Sequence, residues 1–181
     1  MPLITYARRG LTRRDTPARL TDLADDEFEG YASLFGVADA SGDVVARGAF
    51  ANTLRRRPPG RVRMLYQHLP VEPIGVWTAI REDARGLYVR GRLVLDVLRA
   101  REVRALFREG ALNGLSIGFR TRRAARDAKS GTRLLTEIEL WEISVVTFPL
   151  LAGSLVTAVG GKSAPLASML RQATHDLRHQ T

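Results

Sequence analysis

A long strand-like segment near the end of the chain dominates its hydrophobic pattern. Residues Leu134 to Phe148 are rich in β-branched and apolar side chains, and the segment ends at Pro149, which cannot continue a ladder of backbone hydrogen bonds. Shorter alternating segments precede it, and a single segment in the middle of the chain has clear helical periodicity. This combination predicts an α+β, mainly β domain and argues against repeated β–α–β units.

Turn residues divide the rest of the chain into short elements. The clear helix is predicted over Val97–Glu109, because its apolar residues recur at helical spacing and Gly110 is a natural C-cap. A shorter helix over Arg47–Arg56 must end before Pro58. The remaining predicted strands are Phe28–Leu34, Val62–Gln67, Ile74–Arg81, Leu87–Leu95 and Leu115–Arg122. The charged segment Ala124–Thr132 is predicted to be a loop.

Changes in composition divide the chain into three parts. Residues 1–26 are polar and rich in arginine and aspartate, so we expect a flexible basic arm. Residues 27–159 are long enough and apolar enough for one domain with its own core. Residues 160–181 begin with a glycine pair and form a tail. An amphipathic helix is predicted there, because one helical face carries Leu166, Met169, Leu170, Ala173 and Leu177.

The composition excludes several classes of protein. The 181 residues include no cysteine, so disulfide frameworks, thiol nucleophiles and cysteine metal sites are excluded. No run of about 18 or more apolar residues occurs, and the N-terminus lacks the apolar region of a secretion signal. We therefore expect a cytoplasmic protein with no membrane span.

The net charge of the chain is +9, carried largely by arginine. Such a balance favours acidic partners, among them nucleic acid and acidic proteins. The arginines are scattered along the sequence, however, and no aromatic residues alternate with them as they do where bases are stacked. Any binding of nucleic acid is therefore expected to be non-specific.

The segment from Gly114 to Gly118, GLSIG, matches the G-x-S-x-G pattern of hydrolase nucleophiles and presents Ser116. In α/β-hydrolases a strand precedes this serine and a helix follows it. Here the predicted helix comes first and a strand follows, so the pattern fails the context test for a lipase or esterase of that fold. Glycines around the serine would still let backbone N–H groups approach an oxyanion, which makes Gly114 and Gly118 candidates for that support.

A serine nucleophile needs a base, and the residue type whose pKa lies near neutrality is histidine. His68, at the end of a predicted strand, is the one histidine in the body of the domain. A third residue must orient the imidazole, and the candidates are Glu137, Glu139 and Glu142. Strand alternation places Glu142 on the face of Ile138 and Leu140, where a carboxylate most needs a partner.

Seven segments in register resemble the HK97-type prohead maturation proteases of tailed bacteriophages, a family related to the herpesvirus assembly proteases. The resemblance runs from about Phe28 to Ala158. It rests on FEGYASLF, DVVARGAF, MLYQH, PIG, DARGL, GLSIGF and LWEISVVTFP. Of these, MLYQH ends at His68 and GLSIGF contains Ser116. The family usually continues with Pro-Ala-Asn after its last block, whereas this chain has Pro149-Leu150-Leu151.

The resemblance implies an antiparallel β-barrel-like core flanked by a few helices, as in the herpesvirus proteases. It implies a serine endopeptidase in which His68 is the base and Ser116 is the nucleophile. Glu142 is the third member that the family's Leu-x-Glu-Val-Ser block suggests, with Glu139 as the alternative. It implies no cofactor and no metal.

The same resemblance implies a biological setting. The substrates would be extensions of the scaffold and of the major capsid protein, and the enzyme would often cut itself. It would act as a homo-oligomer inside the immature prohead, in the cytoplasm of the bacterial host. The alternative from a different class is a non-catalytic basic protein of capsid assembly or nucleic-acid association, for which the arginines would be the working surface.

Overall fold

The computed structural model describes residues 23–126 and 131–161. Most of the predicted N-terminal arm and the predicted amphipathic helix of the tail lie outside these ranges. The described part contains eight strands and two α-helices. In chain order they are β1 (Glu27–Leu34), β2 (Asp43–Val45), α1 (Ala51–Arg56), β3 (Arg63–Tyr66), β4 (Leu69–Glu82), β5 (Gly86–Leu93), α2 (Leu98–Glu109), β6 (Gly114–Arg126), β7 (Arg133–Val146) and β8 (Val156–Val159).

All eight strands belong to one sheet, whose main path runs β2-β7-β3-β4-β5-β1-β8, with β6 paired to β7. Five of the strand pairs are antiparallel, whereas β2 and β3 pair with β7 in parallel. A backbone bond from Leu115 N to Ser154 O, 2.9 Å, and another from Tyr31 N to Leu155 O, 3.0 Å, bring β6 and β1 towards each other. The sheet thereby curls into a half-barrel, and the prediction of a mainly β, barrel-like fold is confirmed.

The core fills the inner face of the curled sheet. Phe28 on β1 packs against Trp77 of β4 and Phe107 of α2, with ring centroids 5.5 and 5.0 Å apart. Helix α2 lies against the barrel through its apolar stripe and ends at Gly110, whose φ of 71° is the left-handed conformation that suits a C-cap glycine. No helix of the described ranges is long and apolar enough to cross a membrane.

Helix α1 covers the part of the β7 edge that no strand covers. The Thr53 hydroxyl donates to Ile138 O at 2.6 Å and accepts from Leu140 N at 3.2 Å, and Ile138 N donates to Ala49 O at 2.9 Å. These bonds satisfy backbone groups of β7 between its pairing with β2 and its pairing with β3. Strand β7 is thus hydrogen-bonded along its whole length, which fixes the positions of Glu142 and Ser144 near its C-terminal end.

Several predicted boundaries are wrong, and β4 begins at Leu69 rather than Ile74. The shorter helix begins at Ala51 rather than Arg47, because Gly48 has a φ of 83° that no helix accommodates. The predicted loop Ala124–Thr132 is too long, because Ala124–Arg126 still pairs with β7. Strands β2 and β8, of three and four residues, were not predicted.

Candidate active site

His68 lies in a two-residue turn between β3 and β4. Tyr66 pairs with Leu69, so Gln67 and His68 alone make the connection, and both have positive φ, 52° and 60°. This is the backbone of a type I′ turn, which usually requires glycine or asparagine. A side chain in this conformation is strained by about 1–3 kcal/mol, so the surrounding structure must hold it. Strained positions of this kind are frequent at functional sites, which adds to the case for His68 as a candidate.

The imidazole of His68 contacts Glu142. Nδ1 lies 2.7 Å from Oε1, the histidine side chain is 45% exposed and the glutamate side chain is 14% exposed. The hydrogen bond to Glu142 raises the pKa of His68 above its ordinary 6.5, the negative charge of Glu142 adds to this, and partial burial opposes it. Because Nδ1 faces the carboxylate, Nε2 is the nitrogen left free to accept a proton.

Ser116 is on β6, directly across from Ser144 of β7, and Gly118 is directly across from Glu142. Residues opposite each other in a sheet point to the same face, so Ser116 shares a face with Glu142. The two are diagonal neighbours, which in antiparallel pairs lie roughly 7–8 Å apart. An imidazole bound to Glu142 can span that gap. Ser116 itself is 8% exposed, and its hydroxyl has no hydrogen-bond partner in the described ranges.

A bulge at Trp141 brings Glu142 to this face. The pairing of β6 with β7 shifts between Gly118–Glu142 and Phe119–Leu140, which leaves Trp141 without a partner residue. Leu140 is fully buried on the inner face, whereas Trp141 is 49% exposed. The expectation that Glu142 shares a face with Ile138 and Leu140 is therefore wrong. One extra residue turns the carboxylate outwards, towards His68.

Gly118 leaves the space that Glu142 occupies. A Cβ at position 118 would lie 2.0 Å from Oε1 of Glu142, which no structure tolerates. At Gly114 a Cβ would lie 2.4 Å from Val146 O and 2.9 Å from Pro149. Close packing thus explains why positions 114 and 118 require glycine. That these glycines support an oxyanion stays a prediction.

Ser144 is a residue of the candidate site that sequence reasoning passed over. Its side chain is fully buried, its hydroxyl donates to Oε2 of Glu142 at 2.6 Å, and it accepts the backbone N–H of His68 at 3.1 Å. One hydroxyl therefore holds both the carboxylate and the strained turn. The signal in the sequence was a serine two positions after the glutamate on the same strand, which places both side chains on one face.

Gln67 anchors the other half of the turn. Its backbone N–H donates to Val145 O at 2.9 Å, and its side-chain amide donates to the Thr147 hydroxyl at 2.6 Å. The backbone N–H of Thr147 donates in return to Oε1 of Gln67 at 3.3 Å. The turn that carries His68 is thus attached to β7 on both sides.

The other candidate carboxylates lie elsewhere. Glu139 binds Arg57, at 3.2 Å, and Arg122, so its carboxylate is already engaged by two cations. Glu137 accepts a hydrogen bond of 2.7 Å from Asn52 and pairs with Arg123 at 3.4 Å. The geometry therefore favours Glu142 as the partner of His68. Across the described ranges, no group of three or more His, Asp or Glu side chains could hold a metal ion.

Comparison with known proteins adds to this geometry. A family model described as caudovirus prohead serine protease matches residues 14–167. The chain belongs to this family. Another member of this kind, the prohead protease of Enterobacteria phage HK97, is 39% identical over 124 residues, which cover 67% of this chain and 55% of the HK97 protein. The chain thus spans just over half the length of that relative, and the sequence resemblance is confirmed.

Solved structures of similar fold come from phages and herpesviruses. The bacteriophage T4 capsid assembly protease has a fold similar to that of this chain. The TM-score is 0.56 at 14% identity, over 66% of this chain and 80% of the T4 chain. The protease of KSHV, solved with a hexapeptide phosphonate inhibitor, has a TM-score of 0.48 at 12% identity, over 72% of this chain and 63% of that chain. At these identities the T4 match supports the fold alone.

Replacing Ser144 with alanine should lower the free energy of unfolding by about 1.5–3 kcal/mol, because a bond to a buried carboxylate is lost and the N–H of His68 is left unpaired. Ser154→Ala is the matched control. Its hydroxyl is also buried, but it has no hydrogen-bond partner among the residues that the structure describes, so this change should be neutral or stabilising. Urea denaturation measures both, and equal losses in the two variants would show that the Ser144 contacts contribute nothing.

Proposed function

We propose that this chain is a serine endopeptidase that processes extensions of the major capsid protein or scaffold, and itself, during prohead maturation. The observation that carries the proposal is the contact of 2.7 Å between His68 and Glu142, on the sheet face that also carries Ser116. The family supports the proposed class of substrate, because the relatives are named as proteases of the prohead and of capsid assembly. The enzyme would act inside the immature prohead, in the cytoplasm of the host cell.

His68 is the general base in this mechanism. Its Nε2 takes the proton of the Ser116 hydroxyl as Oγ bonds to the peptide carbonyl carbon, and a tetrahedral oxyanion forms. The imidazolium then gives that proton to the leaving amine nitrogen as the carbon–nitrogen bond breaks. Water repeats the sequence on the acyl-enzyme: His68 takes its proton, the oxygen attacks the ester carbon, and the proton returns to Ser116 Oγ.

Glu142 and Ser144 prepare the base. The carboxylate accepts a hydrogen bond from Nδ1–H of His68, which fixes the tautomer with Nε2 free, and it stabilises the imidazolium that forms during attack. Ser144 holds the opposite oxygen of that carboxylate, so the acceptor cannot rotate away. Backbone N–H groups near Gly114 and Gly118 are our candidates for binding the oxyanion.

The test is covalent labelling with a serine-directed fluorophosphonate. The purified protein should take up one label, mapped to Ser116 by peptide mass, and His68→Ala should take up none. The labelling rate requires a neutral imidazole. Because Glu142 raises the pKa of His68, the rate should rise with pH through a midpoint above 6.5.

Glu142→Gln is the control for that pH dependence. It removes the charge that raises the pKa, so the midpoint should move to lower pH while the maximum rate falls. Labelling of His68→Ala at the wild-type rate, or label on a different residue, would contradict the proposed mechanism. Absence of label in the wild-type protein would instead point to the non-catalytic basic assembly protein.

A further inference from the structure

The arginines of this chain are distributed unevenly over the described barrel. From Val44 to Val71 the sequence has six arginines and no carboxylate. Several arginines elsewhere face acidic partners: Arg90 binds Glu27, Arg99 binds Glu72 and Glu102, and Arg133 binds Asp43. Excess positive charge therefore collects where α1, β3 and the outer face of β6 and β7 meet.

We define the basic surface as Arg56, Arg57, Arg63, Arg120 and Arg122. Arg57 and Arg122 approach the same carboxylate, Glu139, from opposite sides, and Arg120 is the strand partner of Glu139. Arg56, Arg57 and Arg122 line a cleft of about 410 Å³ between α1 and the sheet. These contacts gather Arg56, Arg57, Arg120 and Arg122 around Glu139, and Arg63 lies beside Glu142, a residue of the same strand as Glu139.

The basic surface adjoins the candidate active site. Arg63 pairs with Glu142 on one side of β7, and Gly118 pairs with Glu142 on the other. Arg120 is two residues beyond Gly118, on the outer face that also carries Ser116. A polypeptide held at Ser116 and extending along β6 away from Gly114 therefore passes over the arginines.

Several of these arginines are free to bind a further anion. Arg56, Arg63 and Arg120 are exposed, and within residues 23–126 and 131–161 none has a carboxylate within ion-pair distance. Arg57 and Arg122 are held in place by Glu139, which leaves other N–H groups of each guanidinium available. The charges are thus partly fixed in position before any ligand arrives, which reduces the entropy lost on binding.

We propose that the basic surface binds an acidic segment of the polypeptide that this protease cleaves, on one side of the scissile bond. The inference rests on the proposed function, because it assigns a substrate feature to that site. The cleft contains Glu137 and Glu139 as well as arginines. The acidic side chains of a substrate peptide suit such a cleft, because each can bind a single guanidinium group and avoid the two glutamates. A nucleic acid would bring a continuous row of phosphates past both glutamates, which is repulsive.

The opposite end of the site has a different character. Beyond Ser144 two large apolar side chains are exposed: Val71 is 85% exposed and Phe148 is 90% exposed. Phe148 follows Thr147, which binds Gln67 in the turn that carries His68. An asymmetric surface of this kind selects a direction for the substrate as well as a charge. Acidic residues should therefore favour cleavage only when they lie on one side of the cut bond.

The experiment measures binding on the full chain carrying Ser116→Ala, so that no cleavage is needed. Fluorescence anisotropy is recorded with a labelled ten-residue polyglutamate peptide, at low and moderate salt. Adding Arg56→Glu and Arg120→Glu should weaken binding about tenfold and flatten its salt dependence, because two attractions become repulsions. The control pair is Arg92→Glu and Arg101→Glu, exposed arginines on β5 and α2, which changes the net charge equally and should alter affinity less than about threefold.

Two outcomes would overturn the inference. Equal weakening by both pairs would mean that net charge alone attracts the peptide. Tighter binding of an oligothymidylate with the same number of charges, lost in the Arg56/Arg120 pair, would assign the surface to nucleic acid.

Fluorophosphonate labelling of the Arg56/Arg120 pair, built with Ser116 intact, separates this inference from the proposed function. Undiminished labelling with weaker peptide binding supports both. Absent labelling in the otherwise wild-type protein contradicts the protease alone, because the anisotropy measurement does not depend on catalysis.

Discussion

On the proposed function, Ser116→Ala should eliminate shortened capsid chains when the protein is co-expressed with its corresponding major capsid protein. Removing a serine nucleophile lowers kcat by about 10⁴-fold or more, because the base and oxyanion donors have no hydroxyl on which to act. Fold and stability should be retained. The hydroxyl has no partner in the described ranges, so its loss leaves no donor or acceptor unpaired.

Intact-protein mass spectrometry of both co-expressed chains gives the measurement. Wild type should yield shortened capsid protein and a shortened protease, and Ser116→Ala should yield full-length chains of both. Ser41→Ala, an exposed serine in the turn before β2, controls for loss of a serine as such and should behave like wild type. Full processing by Ser116→Ala would end the assignment of the nucleophile.

The strands and α2 could be predicted because their information is local. Alternation over β1, β4 and β5 and the helical stripe of α2 are visible in a single window, and Gly110 marks where α2 ends. Strands β2 and β8 carry too few residues for a pattern. They form because Val44 pairs with Leu134 of β7 and Val159 pairs with Phe28 of β1. Both pairings join segments that are far apart in the sequence.

The third candidate residue shows a similar limit. Alternation singled out Glu142 because it assigned that residue to the apolar face of Ile138 and Leu140, and that assignment is wrong. A bulge depends on how two strands pair, so Trp141 does not reveal it in the sequence. Ser144 was invisible for a related reason: its importance lies in contacts with Glu142 and with the backbone of His68, which come together only in the folded chain.

Gly118→Ala should lower kcat/KM by about 10²–10⁴-fold, approaching the loss expected for Glu142→Gln. The added Cβ would lie 2.0 Å from Oε1, 2.7 Å from Cδ and 2.8 Å from Cγ of Glu142. The carboxylate is held by His68 and Ser144, so it cannot move aside without breaking both contacts. Once it moves, the imidazole loses its acceptor, and the pKa of His68 should fall towards its ordinary value. Gly60→Ala is the matched control, because a Cβ there meets nothing within 4 Å.

The double variant decides whether Gly118 acts through Glu142. If Gly118 matters only because it leaves space for the Glu142 carboxylate, Gly118→Ala should lower kcat/KM little in a protein that already carries Glu142→Ala. The two losses would then be strongly non-additive. Steady-state kinetics on all four proteins, with thermal unfolding to confirm that each is folded, makes the comparison. Additive losses would mean that Gly118 contributes to catalysis independently of Glu142. Binding of the oxyanion by backbone N–H groups near Gly118 would then be the next hypothesis to test.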